Sequence, residues 1–316
     1  MSKNFQWTTD EETGWVDTRP QPPLPPAPRR RWARVWLLLL VLGIVGWVLL
    51  QQANRQVTAV TANVEAEILS SQTLLAQAES RADVELFTTL LSGRDTKWAV
   101  AQQTLFQQDL LWDRSSFGLS LLPTAPEVVS VTVSADLQSA EMGVERQYAP
   151  LLADGQTAVI GSAVSLVHPL TFRRGETRWL LAPPSAEFWG TWQQAESYYV
   201  TLVYPARDEA IALRLVQAMD SEIKQLCRFE PAAVCPSGWQ LVVRLDTDPS
   251  SLAAAADAQH LFMTNPIFAL PAPSLVGLPV DEASYQVLIQ AYVGQVLNRA
   301  IVEVVATGGR PLHTGG

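Results

Sequence analysis

From Val35 to Leu50 the chain holds only apolar residues and two glycines, and no charge appears before Arg55. Four arginines, Arg29, Arg30, Arg31 and Arg34, stand immediately before this run. Crossing a hydrocarbon layer takes roughly 20 mostly apolar residues in a helix. Lipid supplies no partners for backbone polar groups, so the segment must be helical. Counted from Trp32, with Gln51 and Gln52 at the far end, the pattern predicts a single transmembrane helix over 32–52. Trp36 and Trp47 lie near its two ends, where indole rings favour the membrane interface, and the arginine flank is expected to remain cytoplasmic. The long leader and the lack of a small-x-small cleavage site argue for an uncleaved signal-anchor. The expectation is therefore a bacterial, single-pass cell-membrane protein. The lipid bilayer is its first partner, its N-terminus is cytoplasmic and its C-terminal region is extracytoplasmic.

Residues 1–31 read as a disordered cytoplasmic tail. Pro20–Pro28 favours extended polyproline II and removes backbone donors, so this part is read as a spacer more than a docking peptide. The formal charge is -9, but the first 34 residues are net +2, so the remainder carries -11. Such an acidic body repels phosphate backbones, and no nucleic-acid partner is expected. A protein partner on either side of the membrane is compatible with this layout.

Beyond the span, Val57, Val60, Val64, Ile68 and Leu75 recur at three-, four- and seven-residue steps, as on one face of a stalk helix. Helices are expected over 82–91 and 96–111. Strands follow at Val128–Ser134 and Ala140–Ala149. A long bent strand is expected from Thr157–Val167 into Leu170–Arg173, then a turn at Gly175 and a return strand at Thr177–Ala182. Helices followed by a curved antiparallel sheet make an α+β arrangement. The run "VSLVHPLTFRRGETRWLLAPPSAEFWG", following "VVSVTVSADLQSAEMGVERQY", resembles the nuclear-transport-factor-2-like (SnoaL-like) cone fold. That resemblance covers about Val57–Gly190 and places a cone-like domain within 53–190. It implies either an enzyme pocket or a ligand-binding or interaction module, and it supplies no acid/base pair to carry over. Trp179, Phe188, Trp189 and Trp192 are the candidate ligand-binding residues, since aromatic side chains line apolar pockets. Core and lid packing of a sheet that needs large side chains is the preferred reading.

A smaller α/β domain is expected over 195–307, with a strand at Glu196–Tyr204, an amphipathic helix at Glu209–Leu226 and a strand at Trp239–Leu245. An extended, proline-interrupted stretch follows at Ile267–Val280. A last helix, N-capped by Asp281, precedes a disordered end at 308–316. The phrase "PSLVGLPVDEASY" within Tyr198–Val305 is similar to the N-terminal part of a clan MA (gluzincin) peptidase domain. The zinc motif is missing, because Gln286–Val305 contains no histidine. His168, His260 and His313 lack ligand spacing, so neither a metal nor a cofactor is expected. Asp208, Glu209, Asp246 and Asp248 are read as turn and surface residues. Cys227 and Cys235 close a short loop and are expected to form a disulfide in an oxidising compartment. The functional expectation is a non-enzymatic, anchored ligand-sensing or protein-interaction module. The rival is a hydrolase or isomerase with an unrecognised pocket, or a degenerate peptidase scaffold.

Overall fold

The computed structural model describes residues 29–151, 163–229, 240–256 and 267–306. The chain divides into two compact units, Met1–Thr58 and Ala59–Gly316. The described residues of the first unit belong to the opening turns of α1 (Arg29–Arg81). Here the structure corrects the sequence expectation: among the described residues no helix is long and apolar enough to cross a membrane. The wholly apolar run between Arg34 and Gln51 falls short of the roughly 20 residues a span requires, and the helix goes on directly into the polar residues Gln51 and Gln52. The single-pass membrane assignment, its cytoplasmic and extracytoplasmic sides and the interfacial roles of Arg29, Arg30, Arg31, Arg34, Trp36 and Trp47 are withdrawn with it. Trp36 and Trp47 are exposed on α1, and the side chains of the four arginines lie outside the described residues. Residues 1–28 and 308–316, where the tail and the C-terminal end were expected, lie outside them too.

The unit Ala59–Gly316 is α+β. Of the expected helical face, Val64, Ile68 and Leu75 of α1 are buried together, joined by Ala78, while the side chains of Val57 and Val60 lie outside the described residues. Asp83 caps α2 (Val84–Thr89), its carboxylate accepting from the Leu86 N–H at 2.9 Å, and Asp95 caps α3 (Thr96–Gln107) through the Trp98 N–H at 3.0 Å. Each aspartate satisfies a backbone donor that a helix start leaves orphaned. These helices pack on a sheet built from β1 (Leu119–Leu121), β2 (Glu127–Val133), β3 (Ser139–Pro150), β4 (Val164–Arg174) and β5 (Trp179–Leu181). β3 and β4 form its spine, an antiparallel ladder running from Ser139 opposite Arg173 to Tyr148 opposite Val164. Side chains alternate across a strand. The even-numbered residues of both strands face inward, so Ala140, Met142, Val144, Arg146 and Tyr148 share the buried face with Val164, Leu166, His168 and Phe172.

After the short α4 (Ala186–Trp189) a second sheet begins. Its order is β6 (Trp192–Glu196), β7 (Val200–Pro205), β8 (Leu241–Asp246) and β9 (Ile267–Pro271). β6 pairs antiparallel with β7, whereas β7, β8 and β9 run parallel. Parallel neighbours need a crossover, and α5 (Glu209–Phe229) supplies the one from β7 to β8; α6 (Ser250–Ala256) lies between β8 and β9. The stretch expected to be extended contains a helical turn, α7 (Pro273–Val276), followed by β10 (Leu278–Pro279). β10 pairs with β4 of the first sheet. The last helix, α8 (Glu282–Ala306), starts at Asp281, whose carboxylate accepts from the Ser284 N–H at 2.8 Å. α5 and α8 bury Ile211, Leu215, Met219, Leu288, Tyr292 and Val296 against Val200, Leu202, Val243, Leu245 and Leu270 in the largest core. Cys227 is buried near the end of α5, and among the described residues no cysteine is free. Cys235 lies outside the described residues. No disulfide therefore joins two described residues, and the expected Cys227–Cys235 bridge falls outside them.

One buried side chain ties the segment after α3 to α7. Arg114, between α3 and β1, is 1% exposed. Its Nε donates to the Val276 carbonyl at 2.7 Å, and Nη2 donates to Leu275 at 3.0 Å and Leu111 at 3.3 Å. Nη1 donates to Leu110 at 3.3 Å and to Asp113 at 2.6 Å. A guanidinium has five N–H donors, and each here meets a backbone carbonyl. Burial pulls its pKa down, but guanidinium groups stay charged, so the carbonyl dipoles take the place of water around the cation. Replacing Arg114 with Met orphans five carbonyls, each costly when buried. The expected loss is at least about 3 kcal/mol of unfolding free energy, measured by urea denaturation; a loss under about 1 kcal/mol contradicts the assignment.

Candidate functional site

Of the four aromatic residues singled out by sequence, Phe188 and Trp189 touch each other, and none of the four lines either cavity beside Trp112. Trp179 is buried in the first core, its indole N–H donating to the Glu67 carboxylate at 3.2 Å. Phe188 stacks under the Arg207 guanidinium, 3.7 Å from the ring centre, and meets Trp189 edge-on at 4.8 Å. Trp189 packs on the larger core. Trp192 is 45% exposed, with Arg244 over its ring at 4.6 Å. Their described contacts are packing and cation–π contacts.

The polar groups of the interior gather elsewhere, around Trp112. A cleft of about 70 Å³ is lined by apolar residues such as Leu75, Trp98, Leu170, Leu181 and Leu275, and by Gln102, Trp112, Arg114, His168, Thr171 and Ser274. Its walls come from α1, α3, β4, β5, α6 and α7, so neither sheet alone forms it. His168 stands at an inward position of β4, in line with Val164 and Leu166. Its ring meets Trp112 edge-on at 5.1 Å, and its Nε2 lies 2.9 Å from the Tyr148 hydroxyl. The same hydroxyl donates to the Trp112 carbonyl at 3.1 Å. A phenol has one proton. Both bonds are made only when Nε2 carries hydrogen and donates to Tyr148, which assigns the tautomer from the network and leaves Nδ1 as the acceptor.

Burial, followed by the positive fields of Arg114 and Arg146, pushes the His168 pKa well below the usual histidine value. The ring is neutral at pH 7. Gly277 closes one side: a Cβ there would come within 2.9 Å of Leu166 Cβ and 3.0 Å of His168 Cε1, and its φ of +128° is strained for any side chain. Opposite, Arg146 lies over the Trp112 ring at 4.1 Å and donates to Glu79 at 2.7 Å. The Trp112 indole N–H is buried without a partner.

A second buried polar pair borders the cleft. The Asp208 carboxylate accepts from the Ser274 N–H at 3.1 Å and from its hydroxyl at 2.5 Å, which holds the turn after β7 to the start of α7. Its other oxygen is buried without a partner. Burial, opposed by the Ser274 hydrogen bonds and by Arg207, raises its pKa to about 6. Asp208 was read as a turn residue and His168 was passed over for want of metal spacing. For His168 a signal existed, since it interrupts the inward side of an alternating apolar strand. Arg114 carries no such signal in sequence. Among the described residues no group of three or more His, Cys, Asp or Glu is placed to hold a metal ion.

No family model and no curated relative matches the chain. Among solved structures, the intermembrane space region of the chloroplast protein ARC6 aligns at 17% identity, over 36% of this chain and 90% of that one, with a TM-score of 0.22. A likeness at that score carries no argument about fold or function.

The Asp208 carboxyl links stability to pH. Its folded pKa, about 6, lies above the ordinary 3.8, so between these values the folded chain keeps a proton that the unfolded chain releases. The contribution is therefore full below the lower value and is lost as pH rises towards the upper one. Over that window it amounts to about 3 kcal/mol. Asp208→Asn is expected to flatten the stability–pH profile between pH 4 and 7, read by chemical denaturation at each pH; an unchanged profile contradicts the assignment.

Proposed function

We propose that Ala59–Gly316 is a non-enzymatic ligand-sensing module whose cleft beside Trp112 takes a small, largely apolar molecule carrying one hydrogen-bond donor. The observation that carries this reading is His168. Its Nε2 is committed to Tyr148, its ring is neutral, and its Nδ1 remains an unspent acceptor in a residue lining a mostly apolar cleft. Ligand sites of this kind combine apolar walls with a few convergent polar groups.

The size of the cleft limits the ligand. A water-sized occupant needs about 10–15 Å³ by this measure, so about 70 Å³ admits roughly five heavy atoms. Binding is favoured over acid–base chemistry because no carboxylate belongs to the described lining.

Long-range proton–nitrogen NMR of the imidazoles provides the test. 1-Butanol is expected to move the His168 Nδ1 resonance saturably, while diethyl ether, of similar size but without a donor, binds at least about fivefold more weakly, as the loss of one hydrogen bond implies. An Nδ1 signal that stays fixed, or that moves equally with both compounds, rules the reading out.

A further inference from the structure

A second cavity, of about 80 Å³, lies along a different part of the Trp112 surroundings and is lined by Glu79, Ala82, Phe106, Asp109, Leu111 and Trp112. Two helices end there. Ala82 and Asp109 follow the last turns of α1 and α3, and both take left-handed backbone angles, φ 50° and φ 57°. Each is the turning point of a paired closure. Ala82 N–H donates to Glu79 at 3.1 Å and Asp83 N–H to Ala78 at 2.9 Å; Asp109 N–H donates to Phe106 at 3.2 Å and Leu110 N–H to Leu105 at 2.8 Å. Such closures mark helix C-termini. Each terminus carries about half a negative charge, and two of them meet at this cavity.

The side chains add to that field. Glu79 gives one carboxylate oxygen to Arg146, and its other oxygen is buried without a partner. Asp109 stands at the exposed rim with a second carboxylate. Against these acceptors the lining holds one unspent donor, the buried indole N–H of Trp112, a residue 8% exposed, while the unpartnered Nε of Arg146, whose Nη2 is bonded to Glu79, belongs to a residue outside the lining. Two helix C-termini and the Asp109 carboxylate disfavour an anion. An indole N–H cannot ligate a metal ion. What complements the set is a cation with N–H donors at one end, for Glu79 and Asp109, and an acceptor oxygen at the other, for Trp112. By the same volume measure the space suits about five heavy atoms.

We infer that this cavity binds a small protonated amine bearing an oxygen acceptor, of the class of 2-aminoethanol. The inference does not depend on the ligand read for the His168 cleft.

The test follows the indole N–H resonance of Trp112 in the full-length protein, assigned by its loss in Trp112→Phe. 2-Aminoethanol at pH 7 is expected to shift it saturably. Ethylene glycol, which lacks the charge, is expected to bind at least about fivefold more weakly, the cost of one charge-assisted hydrogen bond. Ethylamine, which lacks the oxygen, should lose about threefold or more. Asp109→Asn keeps a residue type tolerant of the left-handed conformation and is expected to weaken 2-aminoethanol by about threefold or more. Equal affinity for ethylene glycol would mean that the cavity does not select the ammonium group and would overturn the inference. So would a non-saturating response, or unchanged affinity in Asp109→Asn.

Discussion

A single buried cation, with no carboxylate among its hydrogen-bond partners, holds the centre of this fold. The Arg114 guanidinium sits where the chain leaving α3 passes the short helix α7, and it donates to carbonyls on both sides. Moving a charge from water into a protein interior costs several kcal/mol unless polar groups replace the solvent. Five carbonyl dipoles do so here, and each would otherwise be a buried acceptor in need of a donor. Two irregular segments thus satisfy each other through one side chain. Because α7 continues into β10, and β10 pairs with β4, the same contact reaches from the segment after β9 to the spine of the first sheet.

The cavities follow from that junction. Helices α1, α2 and α3 cover the first sheet, while α5 and α8 cover the second. Both described cavities are lined by Trp112, where these packings meet. Trp112 occupies the gap, with His168 edge-on to its ring and Arg146 over its face. Its unpaired indole N–H is an energetic liability in a native protein, and a ligand or ordered water that accepts from it would remove the liability. Glu79, Arg146, Tyr148 and His168 form the surrounding polar set, and their fixed partners leave few free groups. That scarcity makes the unspent ones, His168 Nδ1, Glu79 Oε1 and Arg146 Nε, informative.

Much of the architecture could be read from local pattern. The buried face of α1, the Asp281 cap of α8, the alternation of β3 and β4 and the amphipathic α5 follow from periodicity and capping chemistry. Three features did not. Ser197-Tyr-Tyr199 was read as part of one strand, because aromatic residues favour strands; it is the turn of the hairpin joining β6 to β7. Pro273 was read as an interruption, although proline at a first helical position starts a helix, and α7 begins there. The apolar run before Gln51 was read as a membrane span; within the described residues it is too short for one. The site was less legible still, since its residues come from segments more than 160 positions apart, as Arg114 and Val276 show. A buried arginine that donates to carbonyls has no partner of opposite charge to betray it in sequence.

Native-state hydrogen exchange tests most directly whether this one guanidinium makes a single cooperative body of the two sheets. The amides of Leu275, Val276 and Gly277 donate within α7, to Ala272, Ala272 and Pro273, next to the carbonyls that Arg114 holds. If the account is right, they open with the same free energy as the amides of β3 and β8. Exchange of the α7 amides through a lower-energy opening, while β3 and β8 stay protected, would contradict it.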